Sequence, residues 1–194
     1  MPRSILALAT LLALSALPLV AQEEGAGPRF EVGAHGGAIR FDDGGTNPIA
    51  GGRATVRFAS GVGIGATAHW TRRGVEGPEG ISDDAPAWLY DVEASWAIPS
   101  ESRANFVLSL GVGAARFEPT DAEEALGADT VTEVSIPLGV GYQWYAYDGD
   151  HRWAARLDFR DYVILIDGDG QTDDAVTNNY QLSFGFELYL GSTP

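Results

Sequence analysis

Apolar and polar side chains alternate with a period of two along most of this chain. The clearest example lies near the C-terminus, where one set of alternate positions holds Tyr180, Leu182, Phe184, Phe186, Leu188 and Leu190. The positions between them hold Asn179, Gln181, Ser183, Gly185, Glu187 and Tyr189. Successive side chains of a β-strand point to opposite faces, so this alternation predicts a strand with one apolar and one polar face.

Seven further segments show the same alternation, three of them clearly and four more weakly. The clear ones are Glu133–Trp144, Trp88–Ile98 and Arg152–Arg160. The weaker ones are Arg29–Phe41, Ile49–Ala59, Val62–Thr71 and Arg103–Phe117. In Arg29–Phe41 the apolar phase shifts across Gly36 and Gly37, which predicts a β-bulge at that point.

The connections between the predicted strands alternate between short and long. Short turns lie at Ser60–Gly61, Pro99–Ser102 and Ala146–Asp150. Longer segments lie at Asp42–Pro48, Arg73–Ala85, Glu118–Thr130 and Asp167–Val176. An even number of strands with such connections is typical of bacterial outer-membrane barrels, whose long loops lie outside the cell. The pattern predicts an all-β fold, an eight-stranded antiparallel up-and-down transmembrane β-barrel.

The first residues have the order of a secretory signal peptide. Arg3 supplies a positive charge, Ile5–Leu17 is an uncharged apolar run, and Ala21 is a small residue before a polar stretch. The apolar run is shorter than the roughly 20 residues of a membrane-spanning helix. We therefore expect a signal peptide at 1–21, a polar lead at 22–28, the barrel at 29–190 and a C-terminal tail at 191–194.

Alternation alone leaves open which face of the barrel is apolar. A secreted soluble lipocalin-like ligand-binding barrel has the same period with its apolar face inside, and it is the alternative here. Tryptophan and tyrosine recur near strand ends on the apolar face, which is typical of the aromatic girdles of membrane barrels and favours an apolar face toward lipid. The predicted girdle residues are Trp70, Trp88, Tyr90, Trp96, Tyr142, Trp144, Trp153 and Tyr180.

The charge of the chain excludes one class of partner. Its formal net charge is −15, and its 12 basic residues are all arginine. Such an acidic chain repels nucleic-acid phosphates, so we expect no nucleic-acid binding. The chain has no cysteine, which excludes a disulfide framework.

The polar face carries charges of both signs. By strand parity, ten of them point into the lumen: Glu31, Arg53, Arg57, Asp91, Glu93, Glu133, Arg156, Asp158, Arg160 and Glu187. Side chains fill an eight-stranded barrel, and buried charges must be paired, so these residues predict a plug of ion pairs. A narrow ion-selective path is the alternative. We expect a lower cluster of Glu31, Arg57, Arg156 and Glu187, and an upper cluster of Asp91, Glu93, Glu133 and Arg160.

Candidate catalytic and metal-binding residues form no recognised motif. His35 and His69 share the polar face without a serine elbow, and we interpret both as lumen-lining residues. Asp167–Asp174 is as acidic as a calcium loop, but its glycines do not match the EF-hand pattern. A solvated turn and weak divalent-cation binding at the acidic loops are the two interpretations. We expect no enzyme activity, catalytic residue, cofactor or dedicated metal site.

With these strands and connections, Arg29–Leu190 resembles the small OmpA/OmpX-like outer-membrane β-barrels. Such barrels often end in a strand with a terminal aromatic residue that the barrel-insertion machinery reads. Here the last strand ends in Leu190 and is followed by Gly191–Pro194. The resemblance implies a bacterial outer-membrane location, insertion by that machinery, and contact with outer-membrane lipid and lipopolysaccharide.

Two classes of function fit these expectations. The first is a structural or surface-interaction role, in which a charge-filled barrel displays acidic extracellular loops. The second is a small transport pore. Because the two classes differ in whether ions cross the lumen, bilayer conductance of the purified protein separates them.

Overall fold

The computed structural model describes residues 28–42, 45–76, 82–99, 103–146, 153–166 and 175–190. They form β1 (Arg29–Phe41), β2 (Gly45–Arg57), β3 (Val62–Glu76), β4 (Ser82–Pro99), β5 (Ala104–Phe117), α1 (Asp121–Ala125), β6 (Val131–Tyr145), β7 (Trp153–Ile166) and β8 (Ala175–Leu190). Each strand pairs antiparallel with the next, and β1 also pairs with β8, so the sheet closes into a barrel. The predicted eight-stranded up-and-down fold is confirmed.

The barrel has two distinct ends. The terminal end carries Arg29 and Leu190, together with the β2–β3, β4–β5 and β6–β7 connections. The loop end carries the other four connections, one of which contains α1. A capping box starts this helix: the Thr120 hydroxyl accepts from the Glu123 backbone N–H at 3.2 Å, and the Glu123 carboxylate accepts from the Thr120 backbone N–H at 2.9 Å.

Several strands are longer than the alternation predicted. Much of the expected loop Arg73–Ala85 is strand, because β3 continues to Glu76 and β4 begins at Ser82. Likewise β2 begins at Gly45, β7 continues to Ile166 and β8 begins at Ala175. Strand pairing needs only backbone partners, so it continues where outward side chains are no longer apolar. The expected signal peptide, the C-terminal tail and Asp167–Asp174 lie outside the described residues.

The predicted bulge at Gly36 and Gly37 is wrong. The β1–β2 register is unbroken from Arg29↔Arg57 to Phe41↔Gly45. Parity therefore holds along β1, and the side chains that follow the two glycines keep the faces set by those before them. The apolar phase shifts because the chemistry of the lumen changes along its length, while the backbone stays regular.

The strands are staggered around the barrel. Register partners lead from Phe30 through Val56, Ile64, Ala94, Leu110, Leu138, Asp161 and Tyr180 to Arg40. One circuit thus returns to β1 ten residues further along, from position 30 to position 40. This shear tilts the strands and sets which inward side chains share a height.

The barrel is apolar outside and polar inside. Outward side chains such as Val92, Leu110 and Leu188 are 54%, 55% and 56% exposed, whereas the inward Arg160 is fully buried. A soluble barrel has the reverse arrangement, so the lipocalin-like alternative is wrong. Within the described part of the chain, no helix is long and apolar enough to cross a membrane.

An apolar cluster fills the lumen near the loop end. Its members, which we call the apolar cap, are Ile39, Phe41, Ile49, Ala87, Leu89, Ala115, Tyr162 and Ile164. Phe117 packs against the cap, and the Arg73 guanidinium lies 5.1 Å from the centre of its ring. These inward apolar residues explain the phase shift in β1, because Ile39 and Phe41 belong to the cap.

The predicted girdle residues lie on the outward face in two groups. Trp70, Trp88, Tyr90 and Tyr180 lie toward the loop end, and Trp96, Tyr142, Trp144 and Trp153 lie toward the terminal end. Within the groups, the Trp88 and Tyr90 rings stack at 6.1 Å, and the Tyr142 and Trp144 rings meet edge to face at 4.6 Å. The apolar band of the outer surface lies between these groups.

Candidate functional site

The polar lumen is organised around Arg53, an inward residue of β2. Its guanidinium lies 3.1 Å from Glu187, 3.3 Å from Asp158 and 3.4 Å from Glu93. Those carboxylates come from β8, β7 and β4, so one arginine connects four strands across the barrel axis. Arg53 is buried, and a planar guanidinium with five donors suits such multiple contacts better than an ammonium does.

Two further arginines of β7 complete this central group. Arg156 donates to Asp158 at 2.7 Å and lies 3.3 Å from Glu187, which also accepts a hydrogen bond from the Gln143 amide. Arg160 lies 2.8 Å from Glu93 and 3.6 Å from Asp91. Strand alternation at positions 156, 158 and 160 places these side chains in the lumen at successive heights.

A second group lies at the terminal end. Glu31 accepts from Arg57 at 2.8 and 2.9 Å in a bidentate pair, and it accepts from Arg29 at 2.7 Å. The Arg29 guanidinium lies 4.3 Å from the centre of the Tyr189 ring, which is 5.7 Å from the Tyr145 ring. We call Arg29, Tyr145 and Tyr189 the terminal lid, because they cover the lumen at this end.

The two expected clusters differ from the pairs that form. The expected lower cluster divides into two pairs, Arg57 with Glu31 and Arg156 with Glu187. The second pair belongs to the central group, because Arg156 also contacts Asp158 and Glu187 also contacts Arg53. Asp91, Glu93 and Arg160 meet as expected, whereas Glu133 does not share their height.

Register explains the position of Glu133. Its β5 partner is Ala115, a member of the apolar cap, whereas Arg160 is partnered by Gly139 on the same strand as Glu133. Six residues of strand separate positions 133 and 139, which is about 20 Å at 3.3 Å per residue. The expected membership of Glu133 in the upper cluster is therefore wrong.

The two lumen histidines belong to a hydrogen-bonded chain. His35 Nε2 lies 3.0 Å from His69 Nδ1, His69 Nε2 lies 2.9 Å from the Tyr162 hydroxyl, and that hydroxyl donates to Asp91 at 3.5 Å. Each neutral imidazole has one donor and one acceptor, so this order makes His35 donate to His69 and His69 donate to Tyr162. This series of hydrogen bonds connects the central charges to the apolar cap.

Glycines make the room for these histidines. Gly51 is the register partner of both His35 and His69, and a Cβ at that position would lie 2.7 and 3.0 Å from their facing nitrogens. On the other side of His35, a Cβ at Gly185 would lie 2.5 Å from the histidine Cβ. The distances of 2.7 and 2.5 Å to His35 are too short for packed atoms, so the imidazole pair depends on glycine at these positions.

Sequence reasoning missed several residues of this interior. Arg29 was missed although it lies in the predicted strand Arg29–Phe41 with the parity of Glu31, and Tyr162 was missed because the predicted strand ended at Arg160. Parity within the first strand places Arg29 in the lumen, and extension of the seventh strand by two residues places Tyr162 there. The apolar cap carried no such signal, because an inward apolar residue looks like an outward one in a short alternating pattern.

A small cavity lies among these side chains. A cavity of about 10 Å³ lies beside His35, Arg53, Arg156, Asp158 and Glu187. A cavity of that volume holds about one water molecule. Among the residues that the structure describes, no three His, Asp or Glu side chains are arranged to hold a metal ion.

Comparison with known proteins agrees with this architecture. The outer membrane protein β-barrel domain model matches residues 5–187. No curated protein sequence matches the chain.

Solved barrels share the fold at low sequence identity. The N-terminal barrel of Pseudomonas aeruginosa OprF is 10% identical with a TM-score of 0.58, over 84% of this chain and 97% of that one. Neisserial surface protein A is 17% identical with a TM-score of 0.55, over 85% and 99%. OprG of P. aeruginosa is 14% identical with a TM-score of 0.58, over 88% and 99%.

The family match spans most of the chain, and the apolar outer band between two aromatic groups is the surface that a bilayer requires. The expected outer-membrane location is therefore confirmed. The chain belongs to the outer membrane protein β-barrel domain family and resides in the bacterial outer membrane.

Proposed function

We propose that this protein is a closed outer-membrane barrel, which anchors and displays its loops and does not conduct ions. The observation that carries the proposal is the charge balance of the lumen below the apolar cap. Among the residues that the structure describes, five arginines, Arg29, Arg53, Arg57, Arg156 and Arg160, face five carboxylates, Glu31, Asp91, Glu93, Asp158 and Glu187. A balanced set of buried pairs leaves no excess charge to attract a permeating ion.

Both ends of the lumen support closure. The apolar cap lies at the loop end, where Ile39 and Leu89 are fully buried. A constriction lined mainly by apolar side chains opposes the passage of water and ions. At the other end, Tyr145 in the terminal lid accepts from the Asn105 amide at 2.7 Å and donates to Gln143 at 3.1 Å. These bonds fix the ring over the charged groups.

A small transport pore is the second candidate, and the polar lining of the central lumen favours it. Conductance in planar bilayers separates the two. We expect the wild-type protein to show no current steps beyond those of protein-free membranes, and Leu89→Ala to stay silent because the ion pairs below it persist. Leu157→Ala, an outward change of the same size, is the matched control. Discrete current steps from the wild-type protein, larger in Leu89→Ala and unchanged in Leu157→Ala, would establish a pore.

The proposed display role also needs the loop end outside the cell. The described acidic residues near that end include Asp42, Asp84, Glu118, Asp121, Glu123, Glu124 and Asp129. A short turn at the terminal end and an N-terminus inside the periplasm are the usual arrangement of such barrels.

Labelling of intact cells tests this orientation, because the chain has no cysteine of its own. Asp129→Cys, exposed at the loop end, should react with a membrane-impermeant maleimide in intact cells. Ser60→Cys, exposed in the β2–β3 turn, is the matched control and should react only after cells are broken. Labelling of position 60 alone in intact cells would reverse the orientation.

A further inference from the structure

Two imidazoles face each other where the central charges meet the apolar cap. His35 of β1 and His69 of β3 lie on either side of Gly51, and their facing nitrogens are 3.0 Å apart. His69 is buried, and its other nitrogen contacts the hydroxyl of Tyr162, a member of the apolar cap. Histidine has an ordinary pKa of about 6.5, so this pair is a place in the lumen where a modest change of pH can change the charge.

The contact between the two rings limits how many protons they can hold. At 3.0 Å, one of the facing nitrogens must carry a hydrogen and the other must present a lone pair. A neutral pair meets this condition. A pair with one added proton also meets it, because the second nitrogen of His35 can take that proton without any change to the contact. Two added protons place N–H groups on both facing nitrogens, so the contact is lost.

The charges around the pair match a single added proton. Charged side chains face the pair from four strands: Arg53 of β2, Asp91 and Glu93 of β4, Arg156, Asp158 and Arg160 of β7, and Glu187 of β8. These described residues are four carboxylates and three arginines, which leaves one net negative charge when all are ionised. Tyr162 of β7 is the other titratable neighbour, and its hydroxyl lies between His69 and Asp91.

The other strands bring no further charge to this height. Among the described residues, β5 has no titratable inward side chain, and on β6 Glu133 lies beside the apolar cap and Tyr145 in the terminal lid. On the strands of the pair itself, Arg29 and Glu31 belong to the group at the terminal end, and Arg73 lies near the loop end. One added proton therefore balances the surrounding charge, whereas two leave an excess positive charge beside an apolar cluster, which is unfavourable.

We propose that the His35–His69 contact is an acid-sensitive latch, which joins the central charges to the apolar cap near neutral pH and opens when a second proton binds. His35 is the ring that moves, because it is only partly buried and borders the small cavity of the lumen, whereas His69 is 1% exposed and held by Tyr162. The latch is a property of the folded barrel and does not depend on whether ions cross the lumen. Its test is therefore independent of the conductance test.

The dependence of stability on pH tests the latch. Below the ordinary pKa of histidine, the unfolded chain binds a proton on each imidazole, whereas the closed pair binds at most one, so the barrel loses stability as the pH falls. His35→Gln removes this difference, because the glutamine amide can present either its N–H or its carbonyl oxygen to His69. In urea unfolding in zwitterionic vesicles, the unfolding equilibrium constant of the wild type should rise about tenfold more per pH unit than that of His35→Gln, between about pH 6 and about pH 4.5. Titration of the carboxylates is common to both proteins and cancels in the comparison.

Substitutions at two adjacent glycines of β2 separate the contact from the mere presence of two histidines. Gly51→Ala keeps both imidazoles but places a Cβ 2.7 and 3.0 Å from their facing nitrogens, so it should lower stability at neutral pH and show the weaker pH dependence of His35→Gln. Gly52→Ala, whose Cβ has its nearest neighbour at 3.5 Å, is the matched control and should follow the wild type. Circular dichroism at neutral pH checks that each variant has folded, and His35→Gln alone decides if Gly51→Ala has not. Equal pH dependence of the wild type and His35→Gln would overturn the proposal, as would the wild-type dependence in folded Gly51→Ala.

Discussion

Replacement of Arg53 by methionine is expected to lower the free energy of unfolding by about 3–5 kcal/mol, because it leaves buried carboxylates without their counter-charge. Arg53 is the common partner of Glu93, Asp158 and Glu187, at 3.1 to 3.4 Å. Methionine keeps much of the apolar stem, so the loss reports the charge. Urea unfolding in zwitterionic vesicles, followed by tryptophan fluorescence, measures the effect.

An exposed ion pair supplies the matched control for this change. Arg116→Met removes a partner of Glu118, but that pair is solvent-exposed, so we expect a loss of less than about 1 kcal/mol. Adding Glu187→Gln to Arg53→Met should recover part of the stability, with a coupling of at least about 0.5 kcal/mol. Equal losses for Arg53→Met and Arg116→Met, without coupling to position 187, would show that the lumen is wet and screened.

Arginine on the lipid face has the second large expected effect. Phe184→Arg and Leu138→Arg should each destabilise the barrel by about 2–4 kcal/mol, the cost of arginine near the bilayer midplane. Phe184 lies on β8 four residues from Tyr180 in the loop-side girdle, and four from Leu188, the partner of Trp153 in the terminal-side group. Both substituted side chains are nearly half exposed, so lost packing contributes little.

Depth in the bilayer is the variable that the control changes. Leu190→Arg substitutes an equally exposed outward leucine at the terminal end, where arginine costs only about 0–1 kcal/mol. From highest to lowest, the expected order of folding yield and of unfolding free energy in bilayers is therefore wild type, Leu190→Arg, and then the two midplane variants. A similar loss at positions 184 and 190 would contradict a bilayer centred between the two aromatic groups.

The sequence alone predicted most of the strands and the face of each side chain. Parity placed Arg156, Asp158 and Arg160 together in the lumen, and the structure has them there. Outward residues such as Phe184 and Trp153 followed from the same rule. These features are local: side-chain direction in a strand depends only on position along it, so no knowledge of distant residues is needed.

Strand ends were predicted less well, and so was the bulge. Both errors share a cause, since alternation reports the environment of side chains and does not report backbone pairing. Beyond the lipid, β3 and β4 continue to pair as far as Glu76 and Ser82 without an apolar face. In β1, an inward apolar cap at Ile39 imitated a change of face.

The pairing of the inward charges was decided only by the tertiary structure. Arg53 and Glu187 are 134 positions apart in the chain, and they meet because β8 closes on β1 and the shear sets them at one height. The same stagger puts Glu133 beside the apolar cap and not beside Arg160. By itself the sequence determined the strands and the two faces of each, because period and parity are local, whereas closure and the outward direction of the apolar face were decided by the structure. Which arginine meets which carboxylate depends on register between strands, and each residue of slip moves a side chain by about 3.3 Å and to the other face.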